Sequence, residues 1–253
     1  MSDDSSDLGR FGALDIVSPA SGSIAAGELV SVEFRYVVGS AGLVAGGSIS
    51  IATESDSDWA RPQLGDESAG GYLTAVAPAG CAGSVHTPDH KAIVITVQSG
   101  SLVAGDVIEI SLGGDAGIRS QTFYESRHYF HCVVDPAGDG VTGTTVPAVL
   151  AITGGDAASL TATAPSDIEV GSEFSLLLKA EDRWGNPAEK YRGTVAVSAP
   201  GLMLPDGGSL SFGEDDGGVR RIEGAAFTED GATRIEVVDS ENGLVASSNQ
   251  FRI

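Results

Sequence analysis

Leu178-Lys-Ala-Glu-Asp-Arg-Trp-Gly-Asn-Pro187, followed six residues later by Gly193-Thr-Val-Ala-Val-Ser198, is the stretch of this chain that decides its fold. The first run alternates Leu178 and Ala180 with Lys179 and Glu181, the period of a half-buried strand. It stops at Gly185-Asn186-Pro187, where glycine permits a positive φ and proline removes a backbone donor, so a turn is predicted there. The second run alternates again, Val195 and Val197 against Thr194, Ala196 and Ser198. Two period-two runs joined across such a turn predict the front of a two-sheet sandwich.

Outward from this stretch the same period recurs. From Leu29 to Val38, the residues Val30, Val32, Phe34, Tyr36 and Val38 fall on one face and Ser31, Glu33 and Arg35 on the other. Further strands are predicted at 14–17, 48–53, 72–77, 92–98, 107–112 and 128–134, enough for one sandwich. A second array follows at 149–153, 160–164, 173–180, 194–199, 209–212, 219–227, 233–238 and 250–253. Gly, Ser, Asp and Pro clusters separate the runs, and Asp135 to Pro147 reads as a turn-rich connector. The expected boundary is therefore 146/147, giving domains 1–146 and 147–253. No window carries an apolar stripe of helical period over three turns, so helix is expected only as short turns in loops.

Composition narrows the function. Asp and Glu number 35 against 14 Lys and Arg, a formal net charge of −21, and 11 of the 14 cations are arginine. Such a charge repels phosphate backbones and anionic lipid, which excludes nucleic-acid and membrane-surface roles. It fits a salt-tolerant surface or an ordinary acidic bacterial protein. No run approaches the roughly 18 apolar residues that span a bilayer. The N-terminal Met-Ser-Asp-Asp-Ser-Ser-Asp7 lacks the features of a secretory signal, so a cytoplasmic location is expected, with Cys81 and Cys132 as free thiols.

Motifs that carry chemistry are weak. His86 and His90 flank Pro88 in a loop, with Asp89 beside them, and His128 and His131 stand at an odd spacing that puts them on opposite faces of a strand. Neither pair assembles the three or four converging ligands of a zinc or iron site. Glu54-Ser-Asp-Ser-Asp58 has the alternate acids of a calcium loop, but Trp59 and Gly65 occupy the sixth and twelfth positions, so the EF-hand template fails. The acids of that loop, or Glu214-Asp-Asp216, could form a looser calcium site; a solvated acidic turn is the simpler reading. Gly113-Gly-Asp-Ala-Gly-Ile-Arg119 is followed by an extended stretch and not by the helix N-terminus that a phosphate loop needs. There is no Gly-x-Ser-x-Gly, His-Glu-x-x-His or Cys-x-x-Cys, and no catalytic residue, metal ligand or cofactor is nominated. Two stretches instead combine aromatic, arginine and amide side chains on loops: Ser57 to Tyr72 and Arg119 to Tyr129. They nominate Trp59, Arg61, Gln63, Tyr72, Arg119 and Tyr124 as partner or ligand contacts. The competing reading has Trp59 and Tyr72 capping the open end of a sandwich core.

With Gly39 to Gly47, Ser57-Asp-Trp-Ala-Arg-Pro-Gln63, Gly71-Tyr72 and Gly105-Asp106, the first half resembles the N-terminal part of the bacterial domain-of-unknown-function family thirty-six-oh-four. Ala180 to Pro187, Tyr191-Arg-Gly193 and Ser248-Asn249 resemble the segment that follows it there. The resemblance covers nearly all of the chain after the first ten residues. It implies that the sandwich pair precedes a metal-dependent hydrolase half opening with an aromatic-Gly-Asp-Leu-His segment. That half has no counterpart in these residues, so none of its ligands carries over.

The expected fold is therefore all-β, two tandem antiparallel β-sandwiches with the second immunoglobulin-like. The expected role is a non-catalytic accessory pair that packs on or positions a hydrolase domain, in cis or as a separate chain. The alternative is an independent ligand- or carbohydrate-binding adhesion module, with a glycan as its partner.

Overall fold

In the strand Val32–Val37 the predicted alternation holds: Val32, Phe34 and Tyr36 are buried, and Arg35 between them is exposed. The computed structural model describes residues 9–89 and 91–253. Among these the only helical element is the short 3-10 turn Gly114–Ala116; all else of regular structure is strand, paired antiparallel in two compact units that meet at Ile152/Thr153. The chain is a tandem of β-sandwiches.

The first unit closes a four-stranded sheet over a seven-stranded one. The smaller has the order Ala13–Ser18, Val32–Val37, Val107–Gly113, Tyr72–Val76. The larger runs Ser23–Ala25, Ala148–Thr153, Glu125–Asp135, Ser48–Ala52, Ala92–Ser99, Ala82–His86, with Gly143–Thr144 paired alongside Glu125–Asp135. One face of each sheet supplies a single core that includes Phe34, Tyr36, Ile49, Ile51, Ile110 and Phe130. Phe34 and Phe130 meet edge to face across it, ring centroids 4.9 Å apart.

The expected boundary shifts by six residues. Ala148–Thr153 pairs with Glu125–Asp135, Tyr129 against Val149 and Phe130 against Ala148, so it belongs to the first unit and not to the second. Pro147 read as punctuation because it ends a turn, but the strand after it returns to the sheet it left. Ala82–His86 and Leu244–Ser247 were not expected as strands. Each lies at a sheet edge with no fully buried side chain, so neither shows the buried alternation on which recognition depends. Residues 250–253 form no strand; Arg252 makes an isolated bridge to Asp167 while Phe251 enters the core.

The second unit is immunoglobulin-like. Ser159–Thr163, Phe174–Glu181 and Val219–Phe227, with Leu202–Met203, form one sheet; Ser209–Ser211, Thr194–Ser198, Glu236–Asp239 and Leu244–Ser247 form the other. Counted along the unit, its first, second, fourth and sixth strands form one sheet and its third, fifth, seventh and eighth the other, so consecutive strands cross between two facing sheets. Buried carboxylates fix two of its turns. Asp182 accepts the N–H groups of Gly155 (3.0 Å), Trp184 (2.8 Å) and Asn186 (2.9 Å) and the Asn186 side-chain amide (2.9 Å), shaping the Gly-Asn-Pro turn at Gly185, where φ is 88°. Asp239 accepts the Tyr191 hydroxyl and the Asn242 amide (2.7 Å). Glycine is required at 193 because a Cβ there would collide with both that hydroxyl and that carboxylate.

Burial alone pushes the Asp182 carboxyl up, but the hydrogen bonds from Gly155, Asn186 and Trp184 outweigh it and hold it below the usual aspartate range. The unfolded chain therefore protonates first. The stabilisation is complete above the unfolded value of about 3.9 and is lost as pH falls through the lower folded value.

Two outcomes follow for denaturant titrations. Phe34→Ala should cost about 3–5 kcal/mol by opening a cavity between the sheets of the first unit; a loss under about 1 kcal/mol would show that the site is not packed as described. Asp182→Ala should cost about 1–3 kcal/mol at pH 7 by orphaning buried N–H groups. Its difference from the unsubstituted chain should narrow once both are measured at acid pH, and a constant difference would contradict the carboxylate's role.

Candidate functional site

Trp59, nominated above as contact surface, is only 7% exposed and packs on His128 and Phe130, ring centroids 5.9 and 5.8 Å away. It caps the core, which corrects its nomination as a contact. The loop carrying it is pulled inward by Ser57, whose hydroxyl donates to Gln121 (3.1 Å), and by the Ala60 N–H donating to the Arg119 carbonyl (3.0 Å). Asp58 accepts the Thr122 N–H and hydroxyl, both at 2.7 Å.

The other nominated residues divide. Arg119 is half-buried and engaged internally, its guanidinium donating to the carbonyls of Asp58 (2.8 Å) and Ser120 (3.1 Å). Gln63 braces its own loop: its amide donates to the Asp66 and Ala69 carbonyls, and its oxygen accepts the Gly65 and Asp66 N–H groups. Tyr72 is half-buried at the side of an open cleft lined by Glu67, Ser68, Thr74 and Asp115. Arg61 and Tyr124 are exposed. The six thus serve core, loop and surface separately; Gln63 and Tyr72 meet in a bridge, and Arg119 joins the Trp59 loop. Of the residues weighed as a histidine cluster, His86 ends the edge strand Ala82–His86, Asp89 accepts the Lys91 N–H, and His90 lies outside the described residues.

What the structure does assemble lies on the strand Glu125–Asp135 and the loop after Ser48–Ala52. Glu54, Glu125 and His128 place one ligand atom each within 4.8 Å of one another. His128 and His131 do point to opposite faces, His128 buried and His131 exposed. Glu125 and His128 are also an odd interval apart, yet they meet because the pairing register shifts between them; such an irregularity re-aims side chains. His128 Nδ1 is 2.8 Å from Glu125 Oε2, and the Gln121 amide donates to the same oxygen at 2.8 Å. Glu54 reaches across from the neighbouring strand's end, where the ladder has stopped at Ala52 opposite His131; its carboxyl hydrogen-bonds the Tyr129 N–H and the Glu125 carboxyl.

The electrostatics are uneven. Burial pushes the His128 ring below the usual histidine value despite Glu125, so it is neutral at pH 7. Burial raises Glu125, but hydrogen bonds from His128, Gln121 and Glu54 bring it below the carboxylate range, whereas the hydrogen bond to Glu125 raises Glu54. Of the two carboxyls, Glu54 is therefore the one that takes up a proton first as pH falls. Among the described residues, the buried side-chain polar atoms without a hydrogen-bond partner are Thr53 Oγ1, Trp59 Nε1 and His128 Nε2, all at this end of the first unit. Thr53 and Trp59 line one small cavity of about 20 Å³.

The same strand presents a second feature on its outer side. Arg127, Tyr129, His131 and Val133 alternate with the buried His128, Phe130 and Cys132. The Arg127 guanidinium lies 5.6 Å from the Tyr129 ring centroid, and Tyr129 stacks on His131 at 6.0 Å. Register extends this row sideways: Tyr129 beside Val149, His131 beside Ala52 and Ala92, Val133 beside Ser50, Val94 and His86. Carboxylates enter only at its ends, Asp135 at one and Glu54 with Glu125 at the other. Sequence alternation carried the signal for Tyr129 and His131; nothing local connects Glu54 to Glu125.

No family model matches the chain, and no curated protein matches it. Solved structures of similar arrangement include the adhesin InvE of Yersinia pseudotuberculosis, at 13% identity and TM-score 0.30, with 96% of this chain aligned to 59% of that one. The chain thus spans less than two thirds of the adhesin's length. The type II cohesin dyad from the adaptor ScaA scaffoldin of Acetivibrio cellulolyticus aligns at 11% identity and TM-score 0.32, covering 96% and 95% of the two chains. A fragment of the major pilin GBS80 of Streptococcus agalactiae aligns at 9% and 0.30, covering 95% and 91%.

The placement of Trp59 can be checked by fluorescence, since the chain has two tryptophans and Trp184 is 43% exposed. Trp184→Phe should leave a blue-shifted emission that acrylamide quenches poorly. A red-shifted, readily quenched emission would place Trp59 in water.

Proposed function

We propose that this chain is a non-catalytic binding module whose contact surface is the outer face of the seven-stranded sheet around Tyr129. The observation that carries the reading is the poverty of charge on that face. In a chain with 35 carboxylates, the rows through Tyr129, His131 and Val133 hold Ser, Ala, Val, Tyr and His side chains, with one arginine stacked at the margin. Interface cores are depleted of charge and enriched in tyrosine and arginine, and a flat sheet face of small side chains gives a partner close approach with little side-chain ordering. The chain's net charge of −21 favours solubility and discourages other association.

The partner we propose is a protein domain. The resemblance noted in the sequence makes the first candidate a metal-dependent hydrolase half, which the sandwich pair would position without taking part in its chemistry. Of the earlier contact set, Trp59, buried in the core, would not touch the partner.

Tyr129→Glu tests the reading, because Tyr129 lies outside the core and its substitution spares the fold. Isothermal titration against the hydrolase half should show affinity reduced at least tenfold, with the circular dichroism spectrum and melting temperature kept. Arg61→Glu, on a loop away from the sheet, should bind as the unsubstituted chain does. Equal binding by Tyr129→Glu would remove the face as the contact surface, and binding of a glycan in place of the hydrolase half would move the module to the carbohydrate-binding alternative.

A further inference from the structure

We propose that Glu54, Glu125 and His128 form a binding site for one divalent first-row metal ion, of the zinc class, at the end of the first unit's larger sheet. The inference rests on side-chain geometry and stands whether or not the outer face is a contact surface.

Three observations converge. First, Glu54 and Glu125 bring carboxylate oxygens within 4.8 Å of each other, and neither has a lysine or arginine partner among the ion pairs of the described residues. Such a pair needs a shared proton or a cation between its oxygens. Second, the third member is a fully buried imidazole with its Nδ1 2.8 Å from Glu125 Oε2. Its neutral ring has one N–H. On Nδ1, that proton leaves Nε2 a buried acceptor without a partner; on Nε2, it leaves the Nδ1 lone pair facing a carboxylate. A cation held by Nδ1 and the two carboxylates removes the second conflict and the carboxylate repulsion together, with the Nε2 N–H still a buried donor without a partner. Third, the ligand atoms already lie within 4.8 Å of one another, against the roughly 3.3 Å edges of a tetrahedron with bonds near 2.0–2.1 Å, and Glu54 sits on a loop.

The donor set chooses the metal. Calcium and magnesium take oxygen ligands, whereas an imidazole with two carboxylates suits zinc and its first-row neighbours. Three protein ligands leave a fourth position for water. Support around the ligands is of the kind metal sites use: Gln121, fully buried, donates to Glu125 while its own oxygen accepts from Ser57, so Glu125 is held by a hydrogen-bonded partner that is itself fixed. A bound ion would tie the acidic loop Glu54 to Asp58 to the strand Glu125–Asp135.

The test uses the full chain, stripped with chelator, dialysed, and titrated with zinc chloride, with metal content read by mass spectrometry. The expected result is one zinc per chain, with affinity reduced at least the roughly 10- to 100-fold that even an outer-shell loss causes in Glu54→Gln, and unchanged in Glu214→Gln in the second unit. His128→Gln should abolish binding; because that residue is buried, Glu54→Gln, on the loop, carries the test if His128→Gln does not fold. Cobalt substitution should give visible absorption bands that Glu54→Gln loses. Absence of stoichiometric zinc would overturn the site, and so would equal binding by Glu54→Gln and Glu214→Gln, which would mark diffuse association with surface carboxylates. Displacement of zinc by calcium at equal concentration would overturn the assignment of a nitrogen-bearing site.

Discussion

The pleat of a single strand governs the first unit. Glu125–Asp135 is eleven residues long and pairs with Ala148–Thr153, Ser48–Ala52 and Gly143–Thr144, so its two faces must serve two ends at once. Inward go Phe130, Cys132 and Val134, fully buried against the opposing sheet. Outward go Arg127, Tyr129, His131 and Val133. A slip by one residue would exchange these sets and put an arginine and a histidine into the core, so the register is fixed by the cost of burying those groups. The surface chemistry of the sheet is the complement of its packing.

Where that alternation is interrupted, polar chemistry collects. The register irregularity between Glu125 and His128 turns a buried imidazole toward a carboxylate that a regular strand would have placed on the other face. Nearby, the end of the ladder at Ala52 leaves the Tyr129 N–H to be met by Glu54. Buried polar groups are tolerated only when their hydrogen-bonding capacity is satisfied. Here Gln121, Ser57, Asp58 and Thr122 satisfy one another across more than sixty residues of chain, and His128 Nε2, Trp59 Nε1 and Thr53 Oγ1 remain without partners beside them. The second unit handles the same problem differently. Its buried Asp182 and Asp239 have their oxygens met by backbone and side-chain donors of their own turns. Those carboxylates shape turns, and nothing about them is left over for a ligand.

Much of the fold was legible because alternation is a local property. The buried face at Val32, Phe34, Tyr36 and Val38 and the turn at Gly185-Asn186-Pro187 could be read from neighbours in sequence, and the opposition of His128 and His131 followed from their odd spacing. Edge strands such as Ala82–His86 escaped notice since an edge need not bury alternate side chains. The domain boundary was placed six residues early because Pro147 punctuates a loop without saying which sheet the next strand joins. Trp59 could be read either as a contact, because it shares a loop with Arg61 and Gln63, or as a cap on the core, and sequence did not choose; hydrogen bonds from Ser57 and Ala60 to residues near 120 draw it in.

By itself, then, the sequence determined that the chain is two arrays of short strands with an acidic surface, since period two, turn residues and net charge are all sums over near neighbours. Only the tertiary structure decided which side chains meet. Glu54 and Glu125 become neighbours because Ser48–Ala52 and Glu125–Asp135 lie side by side in one sheet, and His128 joins them because the register shifts between. Strand order and register are set by closing a shared core, a constraint that acts between distant segments and leaves no mark in the spacing of the residues it brings together.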